Sequence, residues 1–377
     1  MNTTSRRGRA VVAMSGGVDS SVAAALLANE GYEVIGVTMR LFDAPFENAG
    51  KLNRSCCSLE DVEDARATCR VIGARHFYMN FEREFQEHVI DYFVSEYEKG
   101  RTPHPCLACN DRLKFDFLMR RAELMDADIV ATGHYARTAH DPAGYRLLRG
   151  VDPLKDQSYV LYTLTQEKLA KLRLPVGEFT KQEIRQLAHR LGLPVANKPD
   201  SQDICFIPVG SYRQFVEDRL TRRVPGSLRT VDGQVIGRHD GVHQFTIGQR
   251  KGLPIAGGTG RPVYVTQINA HTGDVVVGDA KDLMQSDLFA SGVNWISGDQ
   301  PSEPVRVRAR IRYNGRDEDA TVIPAGDWAK IVFERPVRAI TPGQAVVFFA
   351  GDDVLGGGLI ETSAPVHSDL PALTAAG

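Results

Sequence analysis

A doubly wound α/β domain, followed by a small central β-rich domain and a C-terminal β-barrel, is the architecture that three features of the sequence predict. Strand-like and helix-like segments alternate through the first 200 residues with short connections. A glycine-rich turn, Ser15-Gly16-Gly17-Val18-Asp19-Ser20-Ser21, joins the first strand to the first helix. From Asp287 onward the pattern is almost all short β segments: VRVRARIRY, DATVI, AKIVFE and QAVVFFA. Alternating strand and helix imply a parallel sheet covered on both faces. Evenly spaced short strands imply a small closed barrel.

Taken in order, Arg9 to Ala13 reads as a short buried strand, and Asp19 to Asn29 as a helix closed by Gly31. Glu33 to Met39 is a second strand. Ser58-Leu59-Glu60-Asp61 has the form of a capping box and opens a helix to about Ile72. Arg75 to Asn80 is a third strand. Phe85, Val89, Tyr92 and Phe93 recur at helical spacing, which predicts an amphipathic helix from Glu82 to Lys99. Arg101 to Cys109 carries two prolines and reads as a loop, followed by a helix from Asp111 to Met125 and a strand from Asp128 to Thr132. Helical periodicity returns briefly from Ser211 to Leu220, before the glycine-punctuated segments GQVIG, PVYVTQI and GDVVVG. These changes divide the chain into a catalytic domain over 1–205, a central small domain over 206–282 and a barrel over 283–365. A small polar tail over 366–377 is expected to be disordered.

The 377 residues are 42% hydrophobic and 24% charged. That composition excludes a disordered chain, a collagen and a disulfide mini-protein. No stretch approaches the roughly 20 apolar residues of a membrane span. The basic N-terminus precedes an apolar run too short for a signal sequence, so a cytoplasmic location is expected. With a net charge of −2, any nucleic-acid role must rest on a local basic face. Arg306, Arg308, Arg310 and Arg312 recur at period two, which on a strand aims all four one way, as a ladder for phosphates. A solvated strand face with acidic partners is the plainer reading.

Glycines in SGGVDSS allow a sharp turn and a close approach of backbone to ligand. The helix start adds unpaired N–H groups for an anion. The turn lacks the Lys-Ser/Thr of a Walker A loop and is not G-x-G-x-x-G. A simple capped strand-to-helix turn is the structural alternative. Pro105-Cys106-Leu107-Ala108-Cys109-Asn110 places two thiols at a predicted helix start, which favours thiolate. Arg101, His104 and Arg112 lie nearby in sequence, and Cys205 follows in Asp200-Ser201-Gln202-Asp203-Ile204-Cys205-Phe206. Four readings stay open for Cys106, Cys109 and Cys205: incidental thiols, zinc (without the second ligand pair it needs), an iron–sulfur cluster, or a redox pair handling sulfur, which is favoured. Cys56, Cys57 and Cys69 read as structural thiols.

SGGVDSS closely resembles the PP-loop of the N-type ATP pyrophosphatases, a superfamily with an adenine nucleotide alpha hydrolase-like fold. That resemblance implies cleavage of ATP between the α and β phosphates, with Asp19 helping to hold Mg²⁺. Seven blocks in order are more specific: AMSGGVDSSVAA, GRTPHPCLACN, ATGHYAR, KDQSYVLY, DSQDICFI, FTIGQRKGL and RIRYNG. Together they resemble the bacterial tRNA-specific 2-thiouridylases over nearly the whole chain. The resemblance implies ATP-dependent thiolation of the wobble uridine in a tRNA anticodon. It places ATP on Ala13, Met14, Ser15, Gly16, Gly17, Val18, Asp19 and Ser20, with Met39 and Gly133. It makes Cys109 the nucleophile and Cys205 the persulfide carrier. His104, Pro105 and Cys106 meet the target base, and His134, Lys155, Asp156, Gln157, Arg312, Tyr313 and Gln344 contact tRNA. A sulfur-donor protein, such as a cysteine desulfurase or a sulfur-relay protein, is the implied partner, and a Cys109–Cys205 disulfide the implied product. Two positions depart from the family pattern: His104 stands where asparagine is usual, and Cys106 where some members carry aspartate. Another adenylating synthetase, a cluster-dependent thiolase and a non-catalytic RNA-binding module are the competing functions.

Overall fold

Strand β1 (Arg9–Ala13) is almost wholly buried because its residues are small and apolar on both faces, as a central parallel strand requires. It lies in a computed structural model that describes residues 7–42, 59–200, 204–207, 212–255 and 261–363. These residues form two compact units, drawn from Met1–Tyr92, Pro105–Phe215 and Asp352–Val354, and from Phe93–His104, Val216–Gly351 and Leu355–Gly377.

The first unit is built on a five-stranded parallel sheet. β2 is Glu33–Arg40, β3 Arg75–Asn80, β4 Ile129–Ala131 and β7 the two-residue Leu172–Arg173. Their order is β3-β2-β1-β4-β7, so the winding reverses between β1 and β4. Helix α1 (Val18–Asn29) follows β1. Its four alanines and two leucines make it apolar nearly all round, so it packs closely in the interior, where Val22, Ala23 and Ala24 are 0% exposed. Helix α2 (Leu59–Val71) packs with it through Ala65 and Cys69. The first residue of the expected capping box, Ser58, lies outside the described residues, as do Cys56, Cys57 and the tail over 366–377.

Several expectations change in detail. The segment from Arg101 to Cys109 is not all loop. Pro105 starts a helix, its ring fixing φ where the first helical N–H has no partner to lose. That helix runs through Pro105–Ala108, Cys109–Phe117 and Leu118–Glu123, and its middle nine residues take the wider π-type turn. The amphipathic run from Glu82 ends at Glu98 and holds a π-type turn at Gln86–Ile90. The expected helix from Ser211 is the shorter Tyr212–Glu217. The hairpin β5 (Ala136–Asp141) and β6 (Gly144–Arg149) was not anticipated.

In the second unit, β8 (Gly226–Thr230), β9 (Val235–His239), β10 (Tyr264–Ile268) and β11 (Val275–Gly278) form a four-stranded sheet over Leu228, Phe245, Val265 and Val275. The barrel strands are β12 (Met284–Trp295), β13 (Val305–Arg310), β14 (Glu318–Ala325), β15 (Trp328–Arg338), β16 (Ala345–Ala350) and β17 (Asp353–Glu361). They run in the order β12-β15-β14-β13-β16-β17, and β12 pairs with β17 to close the ring. Phe348 sits inside it, fully buried, its ring 5.6 Å from that of Trp295. Replacing Phe348 with Ala should cost about 3–5 kcal/mol through the cavity it leaves. Urea denaturation followed by Trp fluorescence measures this, and a loss below about 1 kcal/mol would mean that the barrel repacks around the gap.

Candidate active site

The reversal of strand order between β1 and β4 opens a crevice at their carboxyl ends, the usual ligand position in an open parallel sheet. Two glycines shape it. Gly16 has φ +69°, and a Cβ there would come within 2.2 Å of the Asp61 carbonyl oxygen. Gly133 follows β4, and a Cβ there would lie 2.6 Å from the Ser20 nitrogen. Backbone therefore meets backbone on both sides of the α1 start. Ser20 Oγ accepts from the Ser15 amide at 3.2 Å and donates to the Gly17 carbonyl at 3.2 Å, locking the turn. Ser15 is exposed at its rim, while Ala13, Met14, Val18 and Met39 are buried beneath. The result is a rigid concave turn with the positive end of a twelve-residue helix at its floor.

Asp19, in the first turn of α1, anchors a network of charges. Its Oδ1 accepts from the Tyr135 hydroxyl at 2.7 Å and from Lys181 Nζ at 2.7 Å. Lys181 also reaches Asp200 at 2.9 Å, and Asp200 pairs with Lys155 and Arg185, each at 2.8 Å. Partial burial raises the Asp200 carboxyl, but the hydrogen-bonded ammoniums of Lys155 and Lys181 outweigh it and hold the group at about 2. Burial, with Asp19 alongside, pushes the Tyr135 phenol far above its ordinary value, so it stays a donor. Lys181 opens the helix Lys181–Arg190, capped by the reciprocal Thr180 and Glu183 hydrogen bonds.

Cys106, in the first helical turn after Pro105, is exposed; Cys109, where the wide turn begins, is half-buried. Asn110 fixes this turn, donating to the Val160 carbonyl at 3.2 Å and accepting from Lys114 at 2.9 Å. Two arginines that could have supported a thiolate are committed to carboxylates: Arg101 to Glu96 and Glu361, and Arg112 to Asp111 and Asp116. Cys205 is half-buried, and the ring of its neighbour Phe206 packs 5.5 Å from Phe85 and 5.3 Å from Phe215. Cys69, Cys106, Cys109 and Cys205 remain thiols. Burial pushes Cys69 up to about 11, which suits the structural role expected of it. Among the described residues, no three His, Cys, Asp or Glu side chains converge as a metal site.

His104 packs edge-on against Tyr313 at 5.9 Å, and burial pushes its imidazole below its ordinary value of 6.5. His134 is only 8% exposed, bonded to Thr132 Oγ1 at 2.7 Å and kept neutral by burial and then by Lys114. Asp156 is buried and organises its own loop, accepting from the Gly150 and Ser158 amides at 3.1 Å each. Gln157 accepts from the Tyr135 amide at 3.0 Å and Lys155 is paired with Asp200, so all three side chains of this segment are engaged within the protein. The arginine ladder also differs from the expectation. β13 ends at Arg310, and the register of β13 against β14 sets Asp319 opposite Arg308. Arg308 pairs with Asp319 at 3.2 Å and Arg310 with Asp317 at 2.7 Å. Arg312, beyond the strand, donates inward to the Ala339 carbonyl and to Thr341.

Three family models match in sequence order: a tRNA methyl transferase HUP domain over 8–209, a tRNA methyl transferase PRC-barrel domain over 213–279 and an aminomethyltransferase beta-barrel domain over 285–360. The tRNA-specific 2-thiouridylase MnmA of Carboxydothermus hydrogenoformans is 48% identical over 94% of this chain and 98% of its own length. The chain belongs to the tRNA-specific 2-thiouridylase family. The family's protein from Geobacter metallireducens is also 48% identical, over 96% of this chain and 99% of its own. A 4-thiouridine synthetase in complex with RNA and ATP aligns with 53% of this chain and 45% of its own at a TM-score of 0.34 and 21% identity, too remote to build on.

In this thiouridylase-family chain, the residues that sequence reading missed are Tyr135, Lys181, Arg185 and Asp200. Their types are commonplace in a surface helix and a loop, and 162 residues separate Lys181 from its partner Asp19. Only the sheet order brings them together. Because Asp200 has a lowered carboxyl in the folded chain, its contribution to stability is present above about pH 4 and fades as pH falls toward 2. Asp200→Asn should therefore lose stability at pH 7, while the gap to the parent narrows steadily between pH 4 and 2.5. Urea midpoints at pH 7, 4 and 2.5 measure it, and a gap that holds constant with pH would sink the assignment.

Proposed function

We propose that this chain catalyses the ATP-dependent 2-thiolation of the wobble uridine of tRNA in the cytoplasm. The supporting observation is one coincidence: the glycine-built cradle at α1 and the half-buried thiols at 109 and 205 occur in a chain 48% identical, over nearly its whole length, to named 2-thiouridylases. Among the described residues no helix is long and apolar enough to cross a membrane.

In this reading the ATP phosphates lie against the turn from Ala13 to Ser20, with Met39 and Gly133 lining the nucleotide. The amides at the α1 start stabilise charge on the departing pyrophosphate. Asp19 is a hard oxygen donor at the phosphate end, which suits Mg²⁺, and it would hold that ion there. That ion would neutralise charge on the leaving group. Lys181, already 2.7 Å from Asp19, adds a fixed positive charge beside it.

The wobble uridine leaves the anticodon stack and meets His104, Pro105 and Cys106. Its 2-oxygen attacks the α-phosphorus, the bond to the β-phosphate oxygen breaks, and pyrophosphate departs. Cys205 carries a sulfane sulfur delivered by a cysteine desulfurase or a sulfur-relay protein. The Cys109 thiolate attacks the Cys205 sulfur, forming a Cys109–Cys205 disulfide and releasing hydrosulfide. Hydrosulfide adds at C2 and AMP leaves, giving 2-thiouridine. A cellular dithiol then returns two electrons to the disulfide. The anion cradle suits adenylation, and the thiols suit sulfur transfer, so an amidating synthetase leaves half the site without use.

Cys205→Ser keeps the cradle but cannot hold sulfane sulfur. It should release pyrophosphate in a tRNA-dependent way yet form no 2-thiouridine when a desulfurase is the donor and sulfide is excluded. Nucleoside mass spectrometry reads the product, and robust thiolation by this variant would remove Cys205 from the pathway. A second outcome concerns His104. Imidazole ordinarily titrates between about pH 5.5 and 7.5, but burial moves His104 to the acid side of that window. The parent and His104→Asn should share one profile of tRNA-dependent pyrophosphate release at and above pH 6.5, and the parent alone should fall on the acid side of that value. Identical profiles down to pH 5 would show that ring charge plays no part.

A further inference from the structure

The FTIGQRKGL segment, residues 245–253, has no part in the chemistry above. Its turn from Thr246 to Gln249 forms one wall of a cavity of about 440 Å³ in the second unit, with Thr102, Arg312, Arg338 and Gln344 on the others. Two guanidiniums line this space, and no carboxylate or aromatic ring does. In a chain of net charge −2, that is a marked local bias. It suits an anion, and it offers no platform on which a base could stack.

The walls are built to hold their donors still. Arg312 is fixed by the Ala339 carbonyl and Thr341. Ala339 has φ +58°, in the left-handed region that an L-residue other than glycine rarely adopts. Gly248 faces it, and a Cβ there would come within 3.2 Å of the Ala339 methyl group. Thr246 N donates to Gln249 Oε1 at 3.1 Å and Gly248 N to the Val265 carbonyl at 2.8 Å, so the turn is rigid. Arg338 is exposed, and its guanidinium lies 4.8 Å from the Tyr264 ring centre. Stacking orients a guanidinium while its N–H edges stay available for an oxyanion.

Position along the chain then selects the anion. Thr102 is two residues from His104, and it is tied to the cavity at three atoms. Its amide donates to the Pro342 carbonyl at 2.9 Å, its carbonyl accepts from Gln344 at 2.7 Å, and its hydroxyl donates to Thr246 at 3.3 Å. We infer that this cavity is a phosphodiester subsite, which takes the RNA backbone immediately beside the nucleotide delivered to His104, with Arg338 as its principal donor, beside Arg312 and Gln344, for which the family resemblance already implies tRNA contact. The inference rests on tRNA being the substrate. The subsite fixes where the target strand lies and takes no part in the chemical steps.

The experiment uses the full-length protein and anticodon stem–loop RNAs in which each linkage around the target uridine is replaced, one at a time, by an uncharged methylphosphonate. A single linkage adjacent to the target should weaken parent binding about tenfold and lower the salt slope by about one, with kcat unchanged. Arg338→Gln should show the same loss on the unmodified RNA and no further loss at that linkage. Arg338→Lys should recover part of the affinity. Equal small effects at every linkage, or losses that add to those of Arg338→Gln, would overturn the subsite. So would inorganic phosphate or pyrophosphate binding that Arg338→Gln abolishes while the linkage scan stays flat, since the cavity would then be a site for the unattached anion. Stem–loops that bind and are thiolated with a flat scan refute the subsite alone, whereas stem–loops that neither bind nor react refute the tRNA reading with it.

Discussion

Backbone packed directly on backbone at the start of α1 is the constraint on which the first unit depends. Gly133, just after β4, leaves no room for even one methyl group before the Ser20 amide. Gly16 does the same against α2 at Asp61. Neither contact can be made by another residue type without moving a helix or a strand. Because β1 and β4 sit side by side at the point where the sheet reverses its winding, this close approach sets the width of the crevice. The crevice in turn sets which N–H groups face an incoming phosphate. The chemistry proposed for the site follows from a spacing that only hydrogen atoms can satisfy.

Charge then extends that rigidity outward. Asp19, Lys181 and Asp200 share their hydrogen bonds in series, and Asp200 stands five positions before Cys205 in the sequence. Partly buried ion pairs of this kind add little net stability, because desolvation offsets most of the attraction. Their value lies in position. A lysine held by two carboxylates is confined, and it keeps its positive charge close to where pyrophosphate would leave. The same network orders the loop around Lys155, whose neighbours Asp156 and Gln157 are spent on holding the backbone.

Most of the fold was legible from local pattern. β1, α1, β2 and β3 fall within a residue of where the sequence puts them, because each is a short element set off by its own turn signals. Four of the six barrel strands, β13 to β16, were legible as short β segments, whereas β12 and β17, which pair to close the ring, were not singled out. The helix at Pro105 was misread because proline signals both turns and helix starts, and only the following residues decide between them. The hairpin at Ala136–Arg149 was passed over because its polar residues, such as Arg137, Thr138 and His140, carry no clear alternation. In the site, the glycine turn and the cysteines announce themselves by type and spacing. Lys181, Asp200 and Tyr135 do not, since long-range pairing leaves no local signal. Of the four arginines at period two, Arg306, Arg308 and Arg310 lie on the strand and Arg312 beyond it, and the acidic partners of the plainer reading are Asp319 on the neighbouring strand and Asp317 just before that strand.

The wide turn at Cys109–Phe117 sets a limit on how this sequence can vary in length. A π-type turn is an α-helix carrying a surplus residue, closed by i→i+5 hydrogen bonds. A deletion inside it can therefore be absorbed by ordinary α geometry, and the backbone stays helical. Side-chain direction survives only while the surplus lasts: removing the extra residue leaves the flanking turns in phase, whereas each further residue removed turns everything beyond it by about 100°. Leu113, Phe115 and Leu118, now buried, would then be swung out of phase with Cys106 and Cys109. The wide turn is thus a local reserve of length, and once it is spent the segment is constrained in phase more tightly than in conformation.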